Sequence, residues 1–172
     1  MDLKSLIREV PDFPSKGINF KDITTLLKDN EALQYVTRVI ADEFIEKKIT
    51  KVLGIESRGF ILGGILACEL NAGFVPVRKK GKLPADKITE TYQLEYGTDS
   101  IEIHRDALTA DDVVLIHDDL LATGGTTNAV LNLVGKLGIS TIYLSFICNL
   151  GFIETDYKQN LKKYNPHILV TY

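Results

Sequence analysis

The stretch Val113-Val114-Leu115-Ile116-His117-Asp118-Asp119-Leu120-Leu121-Ala122-Thr123-Gly124-Gly125-Thr126-Thr127 constrains the chain more than any other. Its opening is short, apolar and β-branched, as a buried strand requires, whereas Ala129, Val130, Leu133, Val134 and Leu137 recur at helical spacing. The pattern predicts a strand over 113–117, a loop of acids and small residues, and then a helix. In open α/β sheets ligands sit at the carboxyl ends of strands. A loop of Ala, Thr and Gly entering a helix presents unhindered amides and hydroxyls to a phosphate. Asp118 and Asp119 would repel that anion, so their expected work is to accept hydrogen bonds from sugar hydroxyls or to hold a divalent cation through its waters. A ribose phosphate satisfies both requirements.

The 172 residues suffice for one domain with a sizeable core, and no internal break suggests a second. Apolar residues make up 45% and charged residues 25% of the chain, which excludes a disordered or fibrous class. A net charge of -3 gives no general attraction for nucleic acid or an anionic membrane, although Arg78, Lys79, Lys80 and Lys82 form a local basic run suited to a small polyanion. The amino terminus carries no secretory pattern, and no apolar run approaches the roughly 20 residues that span a bilayer. The expectation is a cytoplasmic protein with no nucleic-acid or membrane partner. Cys68 and Cys148 are far apart and lack metal spacing, so both are expected to be reduced core residues.

Along the chain, Leu3 to Val10 reads as an amphipathic helix ended by Pro11. The segment Pro11 to Ile23 is a shaped loop running into a short strand, either a cover for the core or a hood that offers Phe20 to a flat heterocycle. A helix capped by Asp29 or Asn30 follows to Lys48. The strand Lys51 to Ile55 then ends in Glu56-Ser57-Arg58-Gly59 and a helix in which Gly63 and Gly64 imply close packing on the sheet. Arg58 at that strand end is placed either for a surface ion pair or to grip phosphate oxygens. Gly73 to Arg78 reads as a strand and Lys79 to Lys87 as an exposed loop. Tyr92 to Gly97 and Ser100 to His104 read as a hairpin turning at Gly97-Thr98-Asp99. Basic loop and hairpin together, about residues 79–105, form an expected lid. A strand over 140–148, a helix over 157–164 and a strand over 167–170 complete the sheet.

Neither a Walker loop nor a dinucleotide fingerprint is present. A phospho-acceptor receiver also carries aspartates at strand ends, but it has no use for Thr-Gly-Gly-Thr-Thr. His117 reads as a hydrogen-bonded core histidine, and His104 and His167 have no ligand partner at metal spacing.

Six segments in order, Pro11-Asp12-Phe13-Pro14, Phe20-Lys21-Asp22-Ile23, Glu56-Ser57-Arg58-Gly59-Phe60, Arg78 to Pro84, Leu94-Glu95-Tyr96-Gly97 and Val114 to Thr126, resemble the type I purine phosphoribosyltransferases. The resemblance implies an α/β fold with a central, mostly parallel sheet flanked by helices, an amino-terminal hood (about residues 1–30) and a flexible hairpin lid. It implies transfer of a phosphoribosyl group from phosphoribosyl pyrophosphate to a purine, adenine in the first instance, giving AMP and pyrophosphate in purine salvage. The alternatives are hypoxanthine, guanine or xanthine as acceptor, or a non-catalytic nucleotide sensor on the same fold.

Residue by residue, the resemblance implies that Leu121, Ala122, Thr123, Gly124, Gly125 and Thr126 bind the ribose 5-phosphate, and Asp118 and Asp119 its hydroxyls. Glu56, Ser57, Arg58 and Gly59 would hold the pyrophosphate with Mg2+, which is carried mainly by substrate and water. Arg78, Lys79 and Lys82 would help, two of them from residues that in such enzymes can reach across a homodimer. Phe20 would stack on the base while main chain at Asn19 and Lys21 reads its edge. Arg58 and Glu95 would be catalytic, Glu95 from the covering loop. His117, Asn19 and Lys21 depart from the family's pattern, the last two in the segment that sets base specificity.

Overall fold

The chain begins with a single helical turn, α1 (Leu3–Leu6), followed by an antiparallel pair, β1 (Arg8–Pro11) and β2 (Asn19–Asp22). These coordinates are a computed structural model that describes residues 1–93 and 97–172. A short α2 (Thr24–Leu27) leads into α3 (Asn30–Phe44). Strands β3 (Lys51–Ile55) and β4 (Gly73–Lys79) flank α4 (Gly59–Glu69). The hairpin strands β5 (Lys87–Gln93) and β6 (Thr98–His104) come next. Then follow β7 (Val113–Leu121), α5 (Gly125–Lys136), β8 (Thr141–Asn149), α6 (Asp156–Leu161) and β9 (His167–Thr171).

Seven strands form one sheet in the order β5-β6-β4-β3-β7-β8-β9. From β4 to β9 all neighbours run parallel, and β6 and β5 add an antiparallel edge. Parallel strands need crossover helices, and these cover both faces. Leu53, Val114, Ile116 and Leu144 pack towards Ala129, Val130, Leu133 and Val134 of α5. The alternate residues Val52 and Leu115 pack towards Ile40 of α3 and Leu66 of α4. Neighbours such as Val114 and Leu115 thus serve opposite cores, as the period of two dictates. Full burial of each aliphatic side chain contributes about 1.5–3 kcal/mol.

Local chemistry sets the helix ends. Asp29 caps α3, its carboxylate accepting the Ala32 amide at 2.9 Å. The helix ends in a 3-10 turn (Ile45–Lys47) closed by Lys48 at φ +54°.

Several boundaries differ from the periodicity-based expectation. The first helix stops at Leu6, because Arg8 to Pro11 pair with β2 instead. Strand β7 continues to Leu121, since β8 goes on pairing with it as far as Leu121 opposite Asn149. Asp118 and Asp119 therefore lie in the strand itself and not in the loop. Hairpin strand β5 starts at Lys87, and Thr98 and Asp99 already belong to β6, where Tyr92 faces Asp99. Gly63 does pack on the sheet, a Cβ there meeting Phe74 Cε2 at 3.1 Å, but Gly64 faces open space. Cys148 is buried whereas Cys68 is exposed on α4. Among the described residues no helix is long and apolar enough to cross a membrane.

If the Asp29 carboxylate holds the start of α3, Asp29→Ala will lower unfolding free energy by about 1 kcal/mol and Asp29→Ser by much less, read from denaturant midpoints.

Candidate active site

Gly124 turns the chain from β7 into α5 at φ +83°, and a Cβ there would also press on Lys158 Cγ at 3.3 Å. Glycine is thus required twice over, by backbone conformation and by packing. The loop is propped from behind. Thr155 donates its hydroxyl to the Thr123 carbonyl at 2.6 Å, and the Asn128 amide reaches the carbonyls of Gly124 (2.9 Å) and Tyr157 (3.0 Å). With its carbonyls engaged behind, the loop presents Gly125, whose amide only reaches Thr123 Oγ1 at 3.5 Å, and Thr126 at the start of a 12-residue helix, where first-turn amides and the helix dipole favour an anion.

Beside this cradle the two acids diverge. Asp119, 4% exposed, forms an ion pair with Arg58 Nε at very short range. Burial and the charge of Asp119 push the Asp118 carboxyl well above the ordinary aspartate range, and its Oδ1 accepts the Asp119 amide at 2.9 Å. Gly59 lets the start of α4 approach this strand. A Cβ there would stand 2.9 Å from the His117 carbonyl and 3.0 Å from Asp118 Oδ1. His117 is buried, with Nδ1 3.3 Å from Ser145 Oγ, and burial lowers its pKa to about 4, so it is a neutral core residue.

The basic run converges on Glu56. Lys82 Nζ lies 2.5 Å from Oε1, and Arg78 Nε (3.3 Å) and the Lys79 amide (2.9 Å) donate to Oε2. Burial acts to raise this carboxyl, but the Lys82, Lys79 and Arg78 contacts outweigh it and hold it down to about 2. Arg78 and Lys82 both make these contacts within one chain. The peptide joining Glu56 to Ser57 is cis. The turn that carries Lys82 is itself anchored, since the Gly81 amide donates to buried Glu102 at 2.9 Å and Thr89 Oγ1 to the same carboxylate at 3.2 Å.

Over the other side of the acids lies the β1–β2 hairpin. Arg58 stacks its guanidinium 5.2 Å from the Phe20 ring, which meets Phe13 edge-on at 5.3 Å. The neighbouring side chains are engaged elsewhere. Asn19 donates to Glu9 at 2.7 Å, and buried Lys21 pairs with Glu9 at 2.7 Å while lying 4.2 Å from the Tyr172 ring. Only main chain and Phe20 remain on offer at these positions. Glu95 lies outside the described residues.

Ile55, Glu56, Val77, Lys79, Tyr92, Asp99, Ile101, Asp118 and Thr126 enclose a cavity of about 280 Å³ between the strand ends and the hairpin. Tyr92, Asp99, Glu102 and Thr155 escaped the sequence reading. Each belongs to the site only through pairing across the fold, and no local spacing marks them. The arrangement places anion donors at both ends of one cavity, acids between, and an aromatic face to one side. That suits a phosphorylated sugar with a second anionic group and a flat partner.

Because the folded Glu56 value of about 2 lies below its ordinary 4.5, the stability it contributes is complete above pH 4.5 and is lost as the pH falls towards 2. The stability difference between the native chain and Glu56→Gln should therefore shrink steadily across that window in acid-denaturation curves.

Comparison with known proteins places the chain among relatives of known family. The family model described as "Phosphoribosyl transferase domain" matches residues 22–156. An adenine phosphoribosyltransferase of Bacteroides fragilis is 58% identical over 144 residues, 84% of this chain and 81% of the relative. The crystal structure of adenine phosphoribosyltransferase from Rhodothermus marinus superposes with a TM-score of 0.91 at 50% identity, covering 99% of this chain and 96% of that one. The Giardia lamblia enzyme complexed with 9-deazaadenine gives a TM-score of 0.92 at 39% identity, over 99% and 96% of the two chains. A family model matched over residues 22–156 and a relative 58% identical over most of both chains show that the chain belongs to the phosphoribosyltransferase family.

Proposed function

We propose that the chain transfers the 5-phosphoribosyl group of phosphoribosyl pyrophosphate to adenine, giving AMP and pyrophosphate for purine salvage in the cytoplasm. The observation that carries the reading is a cavity lined both by Thr126 of the loop and by Glu56 and Lys79, with Lys82 and Arg78 bonded to that same Glu56. Relatives and structural neighbours named for adenine favour that base over the 6-oxopurines.

In this reading the bond from ribose C1 to the pyrophosphate oxygen breaks as the bond to the purine nitrogen forms, and that nitrogen gives up its proton. Leu121 to Thr126 hold the 5-phosphate, and Asp118 and Asp119 take the ribose hydroxyls. The arm with Ser57, Arg58 and Gly59 receives the leaving group, whose charge must be met for C1 to become electron-poor. Phe20 stacks on the base, with main chain at Asn19 and Lys21 reading its edge. Glu95 is assigned, on the resemblance, to a covering loop that would bring an acid to the reacting centre only with ligand bound, where exclusion of water prevents hydrolysis.

Among the described residues no three His, Cys, Asp or Glu side chains gather as a metal cage. The Asp119 carboxylate is a hard oxygen donor that suits Mg2+ through its waters, with substrate oxygens as the ion's main ligands. When bound, the ion neutralises pyrophosphate charge. A homodimer is supported by α4, which is apolar round its circumference and leaves Ile61 exposed, and by the part-exposed Phe74 of β4.

Pyrophosphate release assayed with adenine, hypoxanthine, guanine and xanthine tests the reading. Adenine should be strongly preferred, and preference for a 6-oxopurine would overturn the choice of base. Arg58→Ala should lower kcat/KM by roughly tenfold to several hundredfold, because it removes a charged contact and leaves Asp119 buried without its cation.

A further inference from the structure

One wall of the cavity carries an acid that a polyanionic ligand would be expected to avoid. Of the three carboxylates that line it, Glu56 is met by Lys82 and Arg78, and burial drives Asp118 towards its uncharged form. Asp99 stands apart. Its Oδ2 meets Lys79 Nζ at 3.2 Å and the Tyr92 hydroxyl at 3.5 Å, the outer limit of hydrogen bonding, while Oδ1 accepts the Ser100 amide at 2.8 Å. The Tyr92 oxygen in turn accepts from Thr126 Oγ1 at 3.2 Å. The tyrosine ring packs against the same loop, its Cδ2 falling 3.6 Å from where a Gly125 Cβ would lie.

A polar belt thus runs Thr126, Tyr92, Asp99, Lys79 around the cavity wall. Both of its ends are groups assigned above to phosphate: a hydroxyl of the 5-phosphate loop and an ammonium of the pyrophosphate arm. Both of its middle members belong to the β5–β6 hairpin and have no other assigned work.

We propose that Asp99 and Tyr92 are positioning residues that stand in for substrate, occupying the Lys79 ammonium and the Thr126 hydroxyl until the pyrophosphate and 5-phosphate groups replace them. The proposal rests on the phosphoribosyl pyrophosphate reading of this site. A lysine 55% exposed would otherwise sample many rotamers, and the carboxylate holds it at the cavity wall. A phosphate group with more charge than a carboxylate then takes the ammonium by exchange of partners. The exchange has a definite sign: Asp99 must be displaced, so it opposes binding of the ligand whose site it keeps in order. A merely structural support would give the opposite sign, because its loss would weaken binding.

Asp99→Asn tests this, since the amide keeps the size of the side chain and an oxygen for the Ser100 amide. KM for phosphoribosyl pyrophosphate and Kd for inorganic pyrophosphate, the latter by titration calorimetry, should each fall about 2- to 5-fold at low ionic strength, the span of a partly exposed ion pair. KM for adenine should not move, and the effect should shrink as salt is added. In a Lys79→Gln background the same substitution should have no effect. A rise or no change in KM for phosphoribosyl pyrophosphate, or an equal fall without Lys79, overturns the proposal. Lys79→Gln alone separates the two levels: if it raises that KM the site reading stands, and if it does not, the reading and this proposal fall together. Tyr92→Phe gives an independent check at the other end. It should tighten inhibition by ribose 5-phosphate, and weaker inhibition would count against the exchange.

Discussion

Carboxylates set into the carboxyl end of a buried parallel sheet must each find a cation or a proton, and the candidate site is built on how this chain meets that demand. Asp119 is paired with Arg58, Glu56 with Lys82 and Arg78, and Asp118 is driven towards its neutral form. The partners come from distant segments, so each pair ties the strand ends to something else. Arg58 links β7 to the Phe20 hood. Lys82 and Arg78 draw the basic turn onto the end of β3. Charge compensation therefore shapes the cavity as well as stabilising it.

Backbone approach is the second requirement. Gly59 brings α4 against the strand that carries the acids, and Gly124 turns β7 into α5 with Lys158 packed directly behind it. Gly59 has no room for a side chain, and at Gly124 the left-handed backbone disfavours one where packing is already tight. The hydrogen bonds from Thr155 and Asn128 tie up loop carbonyls, so that amides and hydroxyls are what the loop presents to a ligand.

Much of the fold was legible because its elements obey simple periods. The apolar runs at Lys51 and Val113 and the 3.6-residue pattern from Asn30 appear where expected, and so does the Asp29 cap. Reading failed where a pairing partner decides the end of an element. Strand β7 outlasts its apolar run because β8 keeps bonding to it, and Arg8 to Pro11 leave a helical pattern to pair with β2. The β2 strand of the amino-terminal hairpin shows the same effect. Nothing local tells that Lys21 turns away to Glu9 and Tyr172.

By itself the sequence determined the family and the main succession of strands and helices from Asn30 onward, because apolar runs and helical periods need only local backbone geometry to become elements. Only the tertiary structure decided which cation meets which acid and which residues of the hairpin wall the cavity. Those pairs join positions 61 residues apart for Arg58 and Asp119, and 34 apart for Thr126 and Tyr92. Such contacts arise from strand order and sheet twist, and no spacing along the chain encodes them.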